Sequence, residues 1–371
     1  MSKSKVFIIC GEASGDLHAA NLIHEWSEIN PNIEFVGWGG ERLVKEQFSL
    51  LKHVKSLSFM GFWEVLMNIR SILKNFKTCK KQILEHTPDI LLLVDFPGFN
   101  LRMAKWASKQ GLKVIYYISP QVWAWKKGRI KAIKAYVNAM YCVLPFEKEF
   151  FKQNGIDVHY FGHPLLDEIQ RFKTANPSTL RFNKPVLALL PGSRVQEINR
   201  KLPVMLEAAN CFSDFEIVIA CSPYVALEVY EKIAKGRATL VVNQTYDVLN
   251  IANAAFVTSG TATLETALFK VPQVVCYKSS AFSYSIAKRI IKVNYISLVN
   301  LILNRKVVEE LIQDDCNPQQ LIESMKAIIN DERVRNEIIN AYESLIIQLG
   351  EIGTSQKIAT SINETFILNK G

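Results

Sequence analysis

Four segments of this 371-residue chain place chemistry-bearing residues directly behind short apolar runs. Residues 5 to 10 lead into Gly11-Glu12-Ala13-Ser14-Gly15-Asp16. A glycine-containing turn at the start of a helix brings backbone N–H groups up to a ligand oxygen. The segment matches neither GxGxxG nor GxxxxGK[ST]. Glu12 and Asp16 would repel an anion, so the hydroxyl groups of a sugar suit this loop better than phosphate. A helix cap by Asp16 or Ser14 explains the same residues without a ligand. Residues 90 to 94 deliver Asp95, followed by Phe96-Pro97-Gly98-Phe99-Asn100. A carboxyl at the end of a buried strand has its pKa raised toward that of a working general base. A simple turn before Pro97 is the competing reading.

The second half carries the other two segments. Residues 186 to 194 end in Pro191-Gly192-Ser193-Arg194. The guanidinium of Arg194 is a fixed cation with five donors, suited to a diphosphate leaving group. A surface ion pair with Glu197 would use it equally well. Ser259-Gly260-Thr261-Ala262-Thr263-Leu264-Glu265 follows another apolar run and opens a helix. Free N–H groups and the positive dipole end make such a start an anion site. Glu265, one turn in, can accept two ribose hydroxyls or close a capping box.

These segments need strands to carry them. Candidate strands lie at 5–10, 33–37, 90–94, 113–118, 139–144 and 158–161, then at 186–190, 216–221, 239–242, 254–258 and 273–277. They alternate with helical patterns, as parallel strands covered on both faces do. Two doubly wound α/β domains follow, at 1–168 and 186–331, with polar residues 170–185 as linker and helices over 332–371.

The net charge of +9 is uneven: residues 1–165 hold 22 Lys+Arg against 14 Asp+Glu, and all six Trp and six His lie before residue 164. From Thr266 to Val308 no acid occurs, while Lys270, Lys278, Lys288, Arg289, Lys292, Arg305 and Lys306 do. Residues 62–84 form a basic amphipathic pattern with Arg70, Lys74, Lys77 and Lys81 on one side, and Trp123 and Trp125 sit beside further Lys residues. Both features suit an anionic membrane surface, although a core-packed helix with a wet face reads the same way. Nothing resembles a nucleic-acid-binding motif, and no nucleic-acid partner is expected. The apolar runs are too short for a membrane span or a secretory signal, so a cytoplasmic protein is expected. Seven scattered Cys without a CxxC fit reduced thiols, and no metal or cofactor is expected.

Taken together, the segments resemble lipid-A-disaccharide synthase, a family of bacterial glycosyltransferases. The resemblance rests on Gly11 to Asp16, Met60-Gly61 with Glu64-Val65-Leu66, Asp95 to Asn100, Ser119 to Trp125, Leu144 to Glu147, Gly162-His163, Leu190 to Arg194, Ser259 to Glu265 and Val293 to Leu301. It implies a GT-B fold, two Rossmann-like domains facing a cleft, with the C-terminal helices packing back on the first domain. It also implies transfer of diacylglucosamine from UDP-2,3-diacylglucosamine to 2,3-diacylglucosamine 1-phosphate at the inner leaflet of the cytoplasmic membrane, without a cofactor, by a protein that can form a homodimer. Asp95, Arg194 and Glu12 fall on catalytic positions. Ser14, Ser193, Ser259, Gly260, Thr261, Glu265, Asn300 and Glu310 fall on substrate- or UDP-binding positions. Many members have Asp where this chain has Gly98. A UDP-N-acetylglucosamine 2-epimerase, another UDP-GlcNAc-using enzyme of this fold, or a non-enzymatic membrane-binding module would explain parts of the pattern, but not the GEASGD and SPQVWAW segments together with the placed carboxylate and arginine.

Overall fold

The computed structural model describes residues 3–57, 69–124, 128–175, 180–280, 284–285, 288 and 293–368. Met1–Glu168 and Gly350–Gly371 form one compact unit, and Ile169–Leu349 forms a second. In the first unit β1 (Ser4–Cys10), β2 (Ile33–Gly39), β3 (Ser49–His53), β4 (Ile90–Val94), β5 (Lys113–Tyr117) and β6 (Ala139–Tyr141) make a parallel sheet in the order β3-β2-β1-β4-β5-β6. In the second unit β7 (Val186–Leu190), β8 (Glu216–Cys221), β9 (Thr239–Val242), β10 (Ala252–Thr258), β11 (Gln273–Tyr277) and β12 (Glu309–Ile312) are parallel in the order β12-β11-β10-β7-β8-β9. Numbered from its own first strand, the second sheet has the same winding as the first.

The central strands carry continuous runs of buried apolar residues because helices cover both faces. Val6, Ile8 and Cys10 point into one core and Phe7 and Ile9 into the other. Two strands carry no such run. β3 (SLLKH) and β12 (EELI) are edge strands and keep polar residues among the apolar ones. Conversely, residues 158–161 do not form the expected strand; His159 makes a single parallel bridge to Tyr141. The expected linker begins as helix, since Leu165–Ala175 is helical.

The tail from 332 divides between the units. Helix Glu332–Leu349 belongs to the second. Helix Thr354–Ile362 belongs to the first, where Ile358, Ala359 and Ile362 join Ala19, Ile23 and Trp26 in one core. Asp167 fixes its start by accepting from the N–H groups of Gly353 (2.6 Å) and Ser355 (2.8 Å), a carboxylate placed at a positive helix end. The Trp26 indole N–H donates to Asn363 Oδ1 at 3.2 Å.

In each sheet the chain winds outward in opposite directions from one central pair, β1/β4 in the first unit and β7/β10 in the second. The loops after such a pair diverge and leave the crevice in which ligands of these sheets bind. The loops at these two points are Gly11–Asp16 with Asp95–Asn100, and Pro191–Arg194 with Ser259–Glu265. The sheets therefore bring together the four segments that the sequence singled out, two per unit.

Ile362 has no exposed surface, and emptying its site costs the transfer energy of three carbons plus a cavity term. Ile362→Ala is expected to destabilise the first unit by about 3 kcal/mol in denaturant unfolding; an unchanged midpoint would contradict the packing described.

Candidate active site

In the first unit Asp95 and Phe96 both have left-handed backbone, with φ of 47° and 50°. Asp tolerates this region, but a bulky Phe there is strained unless its surroundings hold it. Asp95 N–H donates to Tyr117 O at 3.0 Å, while its carbonyl accepts from Asn100 Nδ2 at 2.7 Å and the Tyr116 hydroxyl at 2.6 Å. The Phe96 ring lies over Gly11, where any Cβ would run into it, and stacks on Phe99 with centroids 5.5 Å apart. These contacts fix the turn that directs the carboxyl. Burial, then the charge of Glu12, raise the Asp95 pKa to about 7; the Phe96 N–H opposes the rise and Glu147 adds to it.

Glu12 stands at the N-cap of helix Ala13–Ile29 with extended backbone, and its side chain makes no cap hydrogen bond. Ser14 is half-buried in the first turn of the same helix. Asp16 does neither of the things expected of it. It is fully buried and accepts from the N–H groups of Gly40 (2.6 Å), Arg42 (3.0 Å) and Leu43 (3.4 Å), so it caps the short helix Glu41–Val44 rather than its own. His18 is turned against His163, ring centroids 6.3 Å apart, and burial lowers its pKa to about 4. The carboxylates that act on Asp95 are Glu12 and Glu147.

Glu147 was not anticipated as a site residue. It is buried, and its carboxylate accepts from Ser119 Oγ (2.6 Å), Trp123 Nε1 (3.0 Å), Leu144 N (3.0 Å) and Val143 N (3.3 Å). Burial raises its pKa to about 7 against these four bonds. It ties the loop after β5 to the start of helix Pro145–Gln153. The signal for it was in the sequence, in the paired Ser119–Trp125 and Leu144–Glu147 segments. Trp123, expected at a membrane, is half-buried, with its N–H given to Glu147 and its ring edge-on to Phe146 at 4.9 Å. Trp125 lies outside the described residues, as do Met60, Gly61, Glu64, Val65 and Leu66. Arg70, Lys74, Lys77 and Lys81 are all exposed on helix Ile69–His86, beside Leu73 and Leu84, which are 56% and 57% exposed.

In the second unit Gly192 has φ of +120°, and a Cβ there would strike Glu197. Glu197 folds back onto the loop, accepting from Ser193 N at 3.2 Å and lying 3.5 Å from Arg194 Nη1. Ser193 and Arg194 are exposed. The ion pair with Glu197 is therefore formed, at an exposed site where such pairs contribute little to stability. Ser259 Oγ donates to Ile296 O at 2.9 Å. Gly260, with φ of +137° and open space where a Cβ would stand, is the N-cap of helix Thr261–Leu268, and Thr261 is half-buried at its first position. No side chain caps this helix, so the capping box is absent. Glu265 Oε1 instead accepts from the Tyr246 hydroxyl at 3.1 Å.

Asn300 and Glu310 are brought together and hold each other. Asn300 Nδ2 donates to Glu310 Oε1 (2.8 Å) and Val308 O (2.9 Å), and its Oδ1 accepts from Val307 N and Val308 N. Glu310 also accepts from Ile296 N, Ser297 N and Ser297 Oγ. The pair clamps residues 296–300 against β12 and so holds the carbonyl that receives Ser259. In the acid-free stretch, Lys270 pairs with Glu343, Lys306 with Glu309, and Lys278 donates to Cys316 O. Among the described residues no group of three or more His, Cys, Asp and Glu could hold a metal ion.

The family model described as Lipid-A-disaccharide synthetase matches residues 6–364. The chain is 40% identical to a lipid-A-disaccharide synthase of Syntrophus aciditrophicus and 36% identical to one of Myxococcus xanthus, each alignment covering 97% of both chains. The chain belongs to the lipid-A-disaccharide synthase family. It is thereby a glycosyltransferase of lipid A biosynthesis, and the matched span contains all four loops at the switch points. Solved structures similar to it include a putative UDP-N-acetylglucosamine 2-epimerase from Listeria monocytogenes (TM-score 0.65, 14% identity, 98% of this chain and 97% of that one). The calicheamicin glycosyltransferase CalG4 is also similar (TM-score 0.61, 13% identity, 99% and 100%). At such identities the likeness is one of fold, the two-domain α/β fold of these glycosyltransferases and epimerases. Gly98 faces open space, so an acidic side chain would fit there without displacing Asp95.

A carboxyl whose pKa is raised by folding keeps its proton in the folded state after the unfolded state has lost it, so its contribution to stability falls as pH rises through that window. For Asp95 the window runs from its ordinary value to about 7. Asp95→Asn removes this cost. Its Tm should exceed that of the parent by a margin that grows from about pH 4 to about pH 7 and is constant above; a margin independent of pH would show that Asp95 does not titrate there.

Proposed function

We propose that this chain joins the 2,3-diacylglucosamine of UDP-2,3-diacylglucosamine to the 6-hydroxyl of 2,3-diacylglucosamine 1-phosphate, with inversion and without a metal. The products are the β-1,6-linked disaccharide 1-phosphate and UDP. The observation that carries the reading is a carboxyl at the β1/β4 switch point whose pKa is raised to about 7, where a base is both ionised and basic enough to take a hydroxyl proton. Asp95 takes the acceptor proton as the acceptor oxygen attacks the anomeric carbon, and the bond from that carbon to the UDP oxygen breaks. Glu12 and Glu147 keep Asp95 basic. Ser14, beside Glu12, offers a hydroxyl to the acceptor sugar.

The second unit supplies the leaving-group chemistry. Arg194, Ser193 and the N–H groups at Gly260 and Thr261 face the diphosphate, and donors aimed at developing negative charge are each worth about 3 kcal/mol in the transition state. Ser259 shapes that turn through Ile296. Glu265, held through one oxygen by Tyr246, accepts ribose hydroxyls. Asn300 and Glu310 act by supporting the turn, since their polar atoms are engaged with each other and with backbone. Support for a UDP-sugar donor comes from fold relatives solved with UDP-GlcNAc, from Neisseria meningitidis, and with UDP, from S. aureus.

The acyl chains require a membrane, and no helix among the described residues is long and apolar enough to cross one. The exposed basic stripe of helix Ile69–His86, flanked by Leu73 and Leu84, suits peripheral binding to the anionic inner leaflet.

Purified protein should release UDP from the acylated UDP-sugar only when the acylated acceptor is present, and should do so in EDTA. Asp95→Asn should lower turnover by about 10³-fold with UDP affinity unchanged. Release without acceptor favours the epimerase-like reading, and parental rates in the variant exclude Asp95 as the base. Changing Arg70, Lys74, Lys77 and Lys81 together to Gln should reduce binding to anionic vesicles by about tenfold or more; unchanged binding would move the membrane contact elsewhere.

A further inference from the structure

Lys201 lies two turns into helix Val195–Ala209 and is only 3% exposed. Its ammonium hydrogen-bonds the hydroxyl of Thr258, the last residue of β10 and the one directly before Ser259-Gly260. The two halves of the β7/β10 switch point are thus tied together from below by a buried cation. Arg194, Glu197 and Lys201 are spaced i, i+3 and i+7, which places them along one side of the helix. Glu197 is already engaged with Ser193 N–H and Arg194. The stripe therefore sets a buried cation, Lys201, next to the turn at 258–260. Burial pulls the Lys201 pKa down and Glu197 is the first group that holds it up. An ammonium is costly to bury without a paired anion, and an apolar residue of similar volume would fill the same space at lower cost.

We propose that Lys201 is a positioning residue for the diphosphate of a UDP-sugar: its buried charge holds the turn at Thr258–Gly260 in place and is neutralised when the diphosphate binds there. This inference rests on the UDP-sugar reading above. A charge that waits for an anion explains why the interior position is cationic, and it acts on the diphosphate through the turn rather than by contact with the reacting atoms.

The test titrates UDP and uridine separately into the parent protein, Lys201→Met, Lys201→Arg and Thr258→Val. Lys201→Met should weaken UDP about tenfold or more and leave uridine within about twofold, because only UDP carries the diphosphate. Lys201→Arg should recover most of the loss, and Thr258→Val, which keeps the lysine but removes its partner, should fall between. Thr258→Val also decides the matter if Lys201→Met does not fold. Equal losses for UDP and uridine would reduce Lys201 to a packing role, and unchanged UDP affinity in both Lys201→Met and Thr258→Val would overturn the proposal. Failure of the parent protein to bind UDP would instead bring down the UDP-sugar reading itself.

Discussion

A parallel sheet wound in both directions leaves a gap above its central strands, because the crossover helices on either side carry the chain away from it. Each unit of this protein has one such gap, between β1 and β4 and between β7 and β10. Every residue given a chemical role in the loops sits where it does because of that winding. Buried central strands end abruptly in polar loops, and backbone N–H groups at the following helix starts have no partner along the chain. The same construction is used twice with opposite chemistry. The first unit places carboxylates at its gap, and the second places cations and free N–H groups.

Electrostatics in the first unit depend on carboxyls held close to one another. Asp95, Glu12 and Glu147 are like charges in a setting where burial already disfavours ionisation. The structure answers differently for each. Glu147 is compensated by four donors and serves as a brace, whereas Asp95 has its backbone tied down and the pKa of its carboxyl raised by burial and by Glu12 against the Phe96 N–H. In the second unit one carboxylate, Glu197, acts on both the exposed arginine and the buried lysine.

The central strands and the four loops were legible in the sequence because burial on both faces removes polar residues and makes each strand a continuous apolar run. Two of the four edge strands were not, since β3 and β12 need no such run and keep Lys, His and Glu. Residue identities at the loops were legible; their partners were not. Asp16 was expected to act within its own loop and instead caps a helix 24 residues away, and Asn300 and Glu310 are bonded to each other rather than left open. Lys201 carried no signal at all, because a lysine seven residues after Arg194 reads as one more surface charge on an amphipathic helix. Such partnerships depend on which side chains the sheet brings across from distant loops, and spacing along the chain does not encode that.

The hydrogen bond between Trp26 and Asn363 spans 337 residues of chain, and the core it borders includes Ile358, Ala359 and Ile362. During synthesis the first unit is therefore incomplete until residues 354–362 have been made, while the whole of Ile169–Leu349 is already available to fold. Closing so long a loop is slow and exposes apolar surface while it waits. The residues of helix Ala13–Ile29 that will receive helix Thr354–Ile362 remain uncovered while the more than 300 residues between them are made. The unit whose strands are made first is thus completed after the second unit.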